Sequence, residues 1–126
     1  MAHEPKSVLI IDDSETNLVL LEAILEDEGW IVKTAASATT GMEMIKDKIP
    51  DLILLDLIMP RVDGYEMLDR LKSSDKLKEI PVVVVSAVSD ATTRQTCLEK
   101  GAQDYMPKPV DIDLLLNKVR KILNNP

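Results

Sequence analysis

The chain has 126 residues, which is the usual size of a single domain. Apolar residues make up 45% of it and charged residues 29%, which provides for one hydrophobic core and argues against disorder or a collagen-like repeat. The net charge is -7 and the basic residues are scattered, so direct binding to nucleic acid is not expected. Because no linker, repeat or low-complexity tract interrupts the chain, we expect one domain over residues 1–126, with a core of about residues 7–123.

The chain shows no sign of export or membrane insertion. Its one cysteine, Cys97, cannot form an internal disulfide, and its start lacks the apolar stretch of a signal peptide. The longest apolar runs are far shorter than the roughly 20 residues that cross a bilayer. We therefore expect a cytoplasmic protein without membrane contact.

Short apolar runs alternate with stretches of helical period, which indicates repeated β-strand and α-helix units. Residues 8–11, 52–55 and 82–85 are apolar on both faces, as interior strands of a parallel sheet covered by helices should be. Residues 31–35 alternate in polarity and residues 104–106 are stopped by a proline, so both are predicted as edge strands. These units predict an α/β fold: a flavodoxin-like, doubly wound, five-stranded parallel sheet with strand order 2-1-3-4-5 and five helices.

The predicted helices differ in how much apolar surface they can bury. The last helix has apolar residues at spacings of three, four and seven after Asp111, a residue suited to N-capping. The helix around residues 90–100 offers only Ala91, Cys97 and Leu98 as apolar contacts. We expect this fourth helix to be weakly held.

Polar side chains stand at the carboxyl ends of the predicted strands, where doubly wound sheets bind their ligands. They are Asp12, Asp13, Asp56, Ser86 and Lys108. Each has an ordinary explanation by itself, such as a turn, a loop hydrogen bond or a solvated lysine. Their convergence on one edge of an otherwise apolar sheet favours a functional site.

The residue types at this edge suit phosphoryl transfer to a carboxylate. Crowded carboxylates repel each other unless a cation is present, and a hard divalent ion such as Mg²⁺ prefers oxygen ligands. Zinc is not expected, because its candidate ligands His3 and Cys97 lie at a terminus and on the fourth helix. Lys108 can supply positive charge and Ser86 a hydroxyl to phosphoryl oxygens, while an aspartate can be the nucleophile.

Over nearly its whole length the sequence resembles the receiver domain of two-component response regulators. Four ordered blocks carry the resemblance: Val8-Leu9-Ile10-Ile11-Asp12-Asp13; Leu55-Asp56-Leu57-Ile58-Met59-Pro60 with Asp63-Gly64; Val85-Ser86-Ala87; and Gly101-Ala102-Gln103-Asp104-Tyr105-Met106-Pro107-Lys108-Pro109. Four blocks in register with the predicted strand ends are much more specific than a single Asp-Asp pair.

The resemblance implies that Asp56 accepts a phosphoryl group from a phosphohistidine on a sensor histidine kinase or histidine phosphotransfer protein. It further implies that Asp13 and Asp56 ligate Mg²⁺ directly and that the backbone carbonyl of Ile58 adds a third protein oxygen. Asp12 would act mainly through a bound water.

The resemblance also implies a switch. Ser86 and Lys108 would hold the phosphoryl oxygens, with Ser86 moving toward them while the aromatic side chain of Tyr105 turns inward. The Lys108-Pro109 peptide bond is expected to be cis. By residue type alone, Tyr105 would be an ordinary edge-strand tyrosine.

The fourth helix, fifth strand and fifth helix are expected to form the output face for an unidentified downstream protein. Arg94, Gln95, Lys118 and Lys121 are its exposed candidates, against the alternative that they are an ordinary solvated face. A second copy of the chain, in a weak homodimer formed on phosphorylation, is an alternative partner.

Two apolar residues in the resembling blocks bear on the lifetime of the phosphorylated state. Ile58 lies two residues beyond the acceptor and Val88 two beyond the hydroxyl residue. In the family these positions influence how easily water attacks the acyl phosphate, so apolar side chains there predict slow loss of phosphate.

Two other functions are alternatives to this regulatory, non-enzymatic module. A haloacid-dehalogenase-type phosphohydrolase also uses an aspartate nucleophile and a lysine, but it needs a second acid where this chain has Ile58. A flavodoxin needs a hydroxyl-rich phosphate loop and aromatic residues for its flavin, yet the chain has no Phe, one Trp and two Tyr.

Overall fold

A five-stranded parallel sheet forms the centre of the structure. The computed structural model describes residues 5–57, 64–87 and 90–124. The strands are β1 (Ser7–Ile11), β2 (Ile31–Ala35), β3 (Leu52–Asp56), β4 (Val82–Ser86) and β5 (Asp104–Pro107). They lie in the order β2-β1-β3-β4-β5, and each neighbouring pair is parallel. The predicted fold class and strand order are confirmed.

Helices alternate with these strands along the described parts of the chain. They are α1 (Glu15–Glu26), α2 (Ala38–Asp47), α3 (Gly64–Ser73), α4 (Ala91–Glu99) and α5 (Ile112–Asn124). Asp111 caps α5 as predicted, since its Oδ1 accepts a hydrogen bond of 3.1 Å from the Leu114 N–H. Ser14 does the same for α1, with its Oγ accepting from the Asn17 N–H. Among the helices described, none is both long and apolar enough to span a bilayer.

The sheet is covered on both faces, which explains why the interiors of its central strands are apolar on both faces. One core cluster packs β-strand residues against α2, α3 and α4, and includes Ile11, Leu55 and Cys97. The other packs the opposite side of the strands against α1 and α5, and includes Ile10, Leu54 and Val119. Alternate strand residues therefore serve opposite layers.

The fourth helix has fewer buried apolar residues than the sequence suggested. Cys97 is its only buried residue, whereas Ala91 and Leu98 are exposed. The inference that α4 buries little is confirmed, but counting Ala91 and Leu98 among its core contacts was wrong. Ile112 at the start of α5 is likewise exposed rather than buried.

Candidate functional site

Main-chain hydrogen bonds bring the predicted site residues to one edge of the sheet. Asp12 directly follows β1, and its N–H donates to the Ala35 carbonyl at the end of β2 over 3.1 Å. Asp56 and Ser86 are the last residues of β3 and β4. The Lys108 N–H donates to the Ser86 carbonyl over 2.8 Å, which extends the pairing of β4 and β5 by one residue. The parallel register therefore aligns the carboxyl ends of four strands.

A single ammonium group lies between two buried carboxylates. Asp12 is 3% exposed and Asp56 is 5% exposed. The Lys108 Nζ is 3.0 Å from Asp12 Oδ2 and 3.4 Å from Asp56 Oδ2. Burial by itself lowers the pKa of Lys108, but the hydrogen bond to Asp12 and the negative charges of Asp56 and Asp12 outweigh it and raise that pKa overall. Lys108 thus stays charged at neutral pH.

The third carboxylate completes an acidic pocket. Asp12, Asp13 and Asp56 each offer one oxygen, and these oxygens lie within 4.8 Å of one another. Asp13 is exposed while the other two are buried, so the pocket opens to solvent on the Asp13 side. Carboxylate oxygens at this spacing, with one side accessible, fit a hard divalent cation such as Mg²⁺, which keeps several of its waters. The acidic pocket therefore fits both Mg²⁺ binding and phosphorylation.

The hydroxyl residue and the aromatic residue of the predicted switch are both buried. Ser86 has no exposed surface, and Tyr105 is 7% exposed. The Tyr105 side chain packs in the core cluster that faces α4, and its hydroxyl finds no hydrogen-bond partner among the residues that the structure describes. Burial raises the pKa of the Tyr105 phenol, and the nearby Ser86 hydroxyl offsets part of the rise. The tyrosine is turned inward in this structure.

Two contacts to Asp12 were not predicted from the sequence. The Ser14 N–H donates to Asp12 Oδ1 over 2.8 Å, and the Asn17 amide Nδ2 donates to Asp12 Oδ2 over 3.4 Å. The available signal was Asn17 itself, a weak helix former in the first turn of α1 just after the Asp-Asp pair. The direction of the Asn17 side chain could not be predicted from sequence spacing, because it depends on the conformation of the loop that connects β1 to α1.

A glycine lets α3 begin directly against the end of β3. The Gly64 N–H donates to the Leu57 carbonyl over 2.9 Å. A Cβ added at Gly64 would lie 2.5 Å from the Leu57 carbonyl oxygen and 2.8 Å from the Asp56 oxygen of the main chain. Only glycine fits this approach, and the approach supports the backbone that carries Asp56.

The remaining predicted residues have mixed outcomes. Ile58, with its proposed carbonyl ligand, lies outside the described residues, as do Val88 and His3. The Lys108-Pro109 bond is cis, as expected.

Three of the four candidate output residues are exposed. Arg94, Gln95 and Lys121 are exposed. Lys118 is not, because it is half-buried in an ion pair with Asp104 of β5. Its assignment as an exposed contact was wrong.

Comparison with known proteins identifies the family. Residues 8–120 match the family described as the response regulator receiver domain. The chain belongs to this family. Its fold is thus that of a receiver domain, a signalling domain of two-component systems, and the family match favours this interpretation over the phosphohydrolase and flavodoxin alternatives.

Individual relatives agree with this assignment. The chain is 39% identical over 115 residues to the response regulator PleD of Caulobacter vibrioides, covering 91% of this chain but only 25% of PleD. It is 33% identical to the protein PilH of Pseudomonas aeruginosa, covering 92% of this chain and 96% of PilH. The structure of a response regulator receiver domain protein from Methanospirillum hungatei superposes with a TM-score of 0.88 at 30% identity, covering 96% of this chain and 95% of that one. Relatives thus include both longer regulators and proteins of this length.

Proposed function

We propose that this receiver domain accepts a phosphoryl group on Asp56 from a phosphohistidine of a sensor histidine kinase or a histidine phosphotransfer protein. The observation that carries the proposal is the position of the Lys108 ammonium between Asp12 and Asp56, in a pocket that also includes Asp13. The three acids by themselves would repel a dianionic phosphoryl group. The Lys108 ammonium and a bound cation would balance this negative charge, and Asp56 could then carry the group.

The transfer is a substitution at phosphorus. One carboxylate oxygen of Asp56 forms a bond to phosphorus while the bond between phosphorus and the histidine nitrogen breaks; the ring nitrogen keeps the electron pair, and because the other ring nitrogen carries a proton, the leaving group is neutral imidazole. Lys108, now paired with Asp12 and Asp56, would turn its ammonium toward the phosphoryl oxygens. The Ser86 hydroxyl at the end of β4 would donate to another of these oxygens.

Asp13 and Asp56 would ligate Mg²⁺ directly, Asp12 through a bound water, and the main-chain carbonyl of Ile58 would complete the protein ligands. Bound there, the ion would supply positive charge that neutralises the negative charge on the phosphoryl oxygens during the transfer. The exposed side of the pocket at Asp13 suits the approach of a bulky protein donor.

The switch would link Asp56 to the surface formed by α4, β5 and α5. Ser86 ends β4 at the acidic edge, and its hydroxyl also lies close enough to affect the ionisation of Tyr105 in β5. Movement of Ser86 toward a phosphoryl group would change the surroundings of the buried Tyr105 hydroxyl. Since α4 buries only Cys97, it is the helix that such a change shifts at least cost.

The receiver would act as a regulatory module rather than as a free-standing enzyme, and its output would be binding to a downstream protein through the exposed Arg94, Gln95 and Lys121. Residues 1–126 would form a single receiver domain, working in the cytoplasm without direct contact to nucleic acid. The chain covers only a quarter of the length of PleD. If it is likewise part of a longer polypeptide, its output would act on an effector within that polypeptide.

Intact mass spectrometry tests the chemistry and the acceptor together. The wild-type protein is incubated with acetyl phosphate, a small phosphodonor, with and without Mg²⁺. We expect the mass gain of one phosphate only with Mg²⁺ and none for Asp56→Asn. Asp51→Asn is the matched control, since Asp51 lies at the opposite end of β3 and should leave the gain intact. A phosphate gain in Asp56→Asn equal to that of the wild type would refute the assignment.

A further inference from the structure

We propose that Asn17 is a positioning residue for the Mg²⁺-dependent chemistry, acting through Asp12; this inference rests on the proposed function. Asn17 is half-buried in the first turn of α1. Its side-chain amide donates to Asp12 Oδ2, the same oxygen that the Lys108 ammonium reaches. The amide is neutral, so Asn17 orients the Asp12 carboxylate without neutralising the negative charge that attracts a cation.

The bonds to Asp12 divide between its two oxygens. Oδ1 accepts from the Ser14 N–H at 2.8 Å, and Oδ2 accepts from Lys108 at 3.0 Å and from Asn17 at 3.4 Å. Of these donors, Lys108 is the one that must leave when it turns toward phosphoryl oxygens. Asn17 then remains as the side-chain donor to Asp12 Oδ2 and keeps that oxygen oriented. Without Asn17, this buried oxygen would have no side-chain hydrogen-bond donor left, which is unfavourable.

The contact belongs to the side chain of Asn17 and not to its role in the helix. The capping bond of α1 runs from the Asn17 main-chain N–H to Ser14 Oγ, so it survives any substitution of the side chain except proline. Leucine is a better helix former than asparagine, and its side chain has the same number of heavy atoms branched at the same position. Asn17→Leu therefore removes the amide while leaving the helix start at least as stable.

Groups that orient metal-binding carboxylates commonly change metal affinity by about 10–100-fold when they are removed. We expect Asn17→Leu to weaken Mg²⁺ binding by about tenfold, the low end of that range. The contact is long, Asp12 would reach the ion only through a bound water, and Asp12 keeps two other donors. Asn17→Gln retains the amide and should stay within about threefold of the wild type. Thr16→Ala, at the neighbouring exposed position of the same turn, is the matched control and should bind Mg²⁺ as the wild type does.

The experiment titrates each protein with Mg²⁺ alone and follows main-chain amide shifts by NMR at constant ionic strength. Thermal unfolding without Mg²⁺ is measured in parallel, and Asn17→Leu should melt no lower than the wild type. The phosphorylated fraction with acetyl phosphate should be reduced in Asn17→Leu at low Mg²⁺ and recover when Mg²⁺ is raised about tenfold. A merely structural role would not produce this recovery.

The outcomes separate the two proposals. If the wild type binds Mg²⁺ and is phosphorylated but Asn17→Leu has the same Mg²⁺ affinity, the role of Asn17 is refuted and the proposed function stands. Asn17→Gln binding as weakly as Asn17→Leu would also refute it, because the amide would then not be what matters. If the wild type neither binds Mg²⁺ nor gains phosphate, the proposed function itself fails.

Discussion

At the level of single residues, the site depends on how many donors each buried carboxylate has. The positions of Asp12, Asp56 and Lys108 could be predicted because parallel strands end at one edge, whatever their sequence separation. The identity of the donors could not be predicted. Asn17 and the Ser14 N–H reach Asp12 through the particular turn between β1 and α1, and turns of this kind leave no periodic signal in the sequence.

Replacing Lys108 with methionine tests its role as the cation between two buried acids. Lys108→Met keeps most of the side-chain volume but leaves Asp12 and Asp56 with uncompensated charge. We expect a loss of about 1–3 kcal/mol in the free energy of unfolding without Mg²⁺, less than for a fully buried pair because Lys108 is 19% exposed. Urea denaturation measures it.

Adding Mg²⁺ should recover part of that loss, because a cation near the same oxygens takes over the compensation. Lys121→Met, which removes an exposed lysine from α5, is the control and should change the stability little. An equal deficit with and without Mg²⁺ in Lys108→Met would show that Lys108 does not share its partners with the metal.

At the level of elements, α4 shows that the spacing of apolar residues predicts which of them share a helix face but not which face the sheet covers. Ala91 and Leu98 are seven residues apart and share one face of α4, but Cys97 lies about 100° around the helix from Leu98. The sheet covers only the Cys97 side, so three apolar residues could not all be buried. At the C-terminal end of α4, the ion pair between Lys100 and Asp69 of α3 adds one tie, 3.1 Å long and largely exposed.

Hydrogen exchange should reveal the weak packing of α4 directly. Helices that bury few apolar groups open at a lower free energy cost, so their amides exchange faster. We expect the amides of Ala91–Glu99 to exchange at least tenfold faster than those in the middle of α1, which buries Leu18, Leu21 and Leu25. Exchange mass spectrometry of the unphosphorylated protein measures both helices together, and equal protection would contradict the proposal that α4 is the weakly held part of the output face.

The close approach of α3 to β3 predicts a cost for the smallest substitution. Gly64→Ala places a Cβ 2.5 Å from the Leu57 carbonyl oxygen, and main-chain atoms cannot turn aside. We expect it to destabilise the protein by about 1–3 kcal/mol, despite the better helix propensity of alanine. Chemical denaturation measures the change.

Gly41→Ala in α2 is the matched control for that prediction. Its added Cβ would meet Ile11 Cδ1 at 2.6 Å, which is the end of a side chain that can shift. Its cost should therefore be smaller than that of Gly64→Ala. A Gly64→Ala protein as stable as the wild type would mean that the end of β3 yields easily, contrary to the tight packing at Asp56.

At the level of the whole molecule, two apolar clusters hold the sheet while the acidic pocket occupies one edge of it. The division follows from the sequence, since strand interiors are apolar on both faces and their carboxyl ends are polar. Asp56 repels the adjacent Asp12 and Asp13 in the folded protein more than in the unfolded chain, where it is far from both of them. The fold thus carries a local electrostatic cost that a bound cation would relieve.

Because the proposed cation site forms only in the folded chain, Mg²⁺ should stabilise the whole domain against unfolding. Binding to the native state alone adds RT ln(1 + [Mg²⁺]/Kd), or about 1.4 kcal/mol at ten times the Kd. We expect thermal unfolding of the wild type to move upward with Mg²⁺ at constant ionic strength, and we expect Asp13→Asn, which removes the negative charge of the exposed proposed ligand, to abolish most of the shift. Asp75→Asn, at a fully exposed loop position, should keep it. A shift in Asp13→Asn as large as that of the wild type would mean that Mg²⁺ acts elsewhere on the acidic surface, and the pocket would lose its role as the source of the stabilisation.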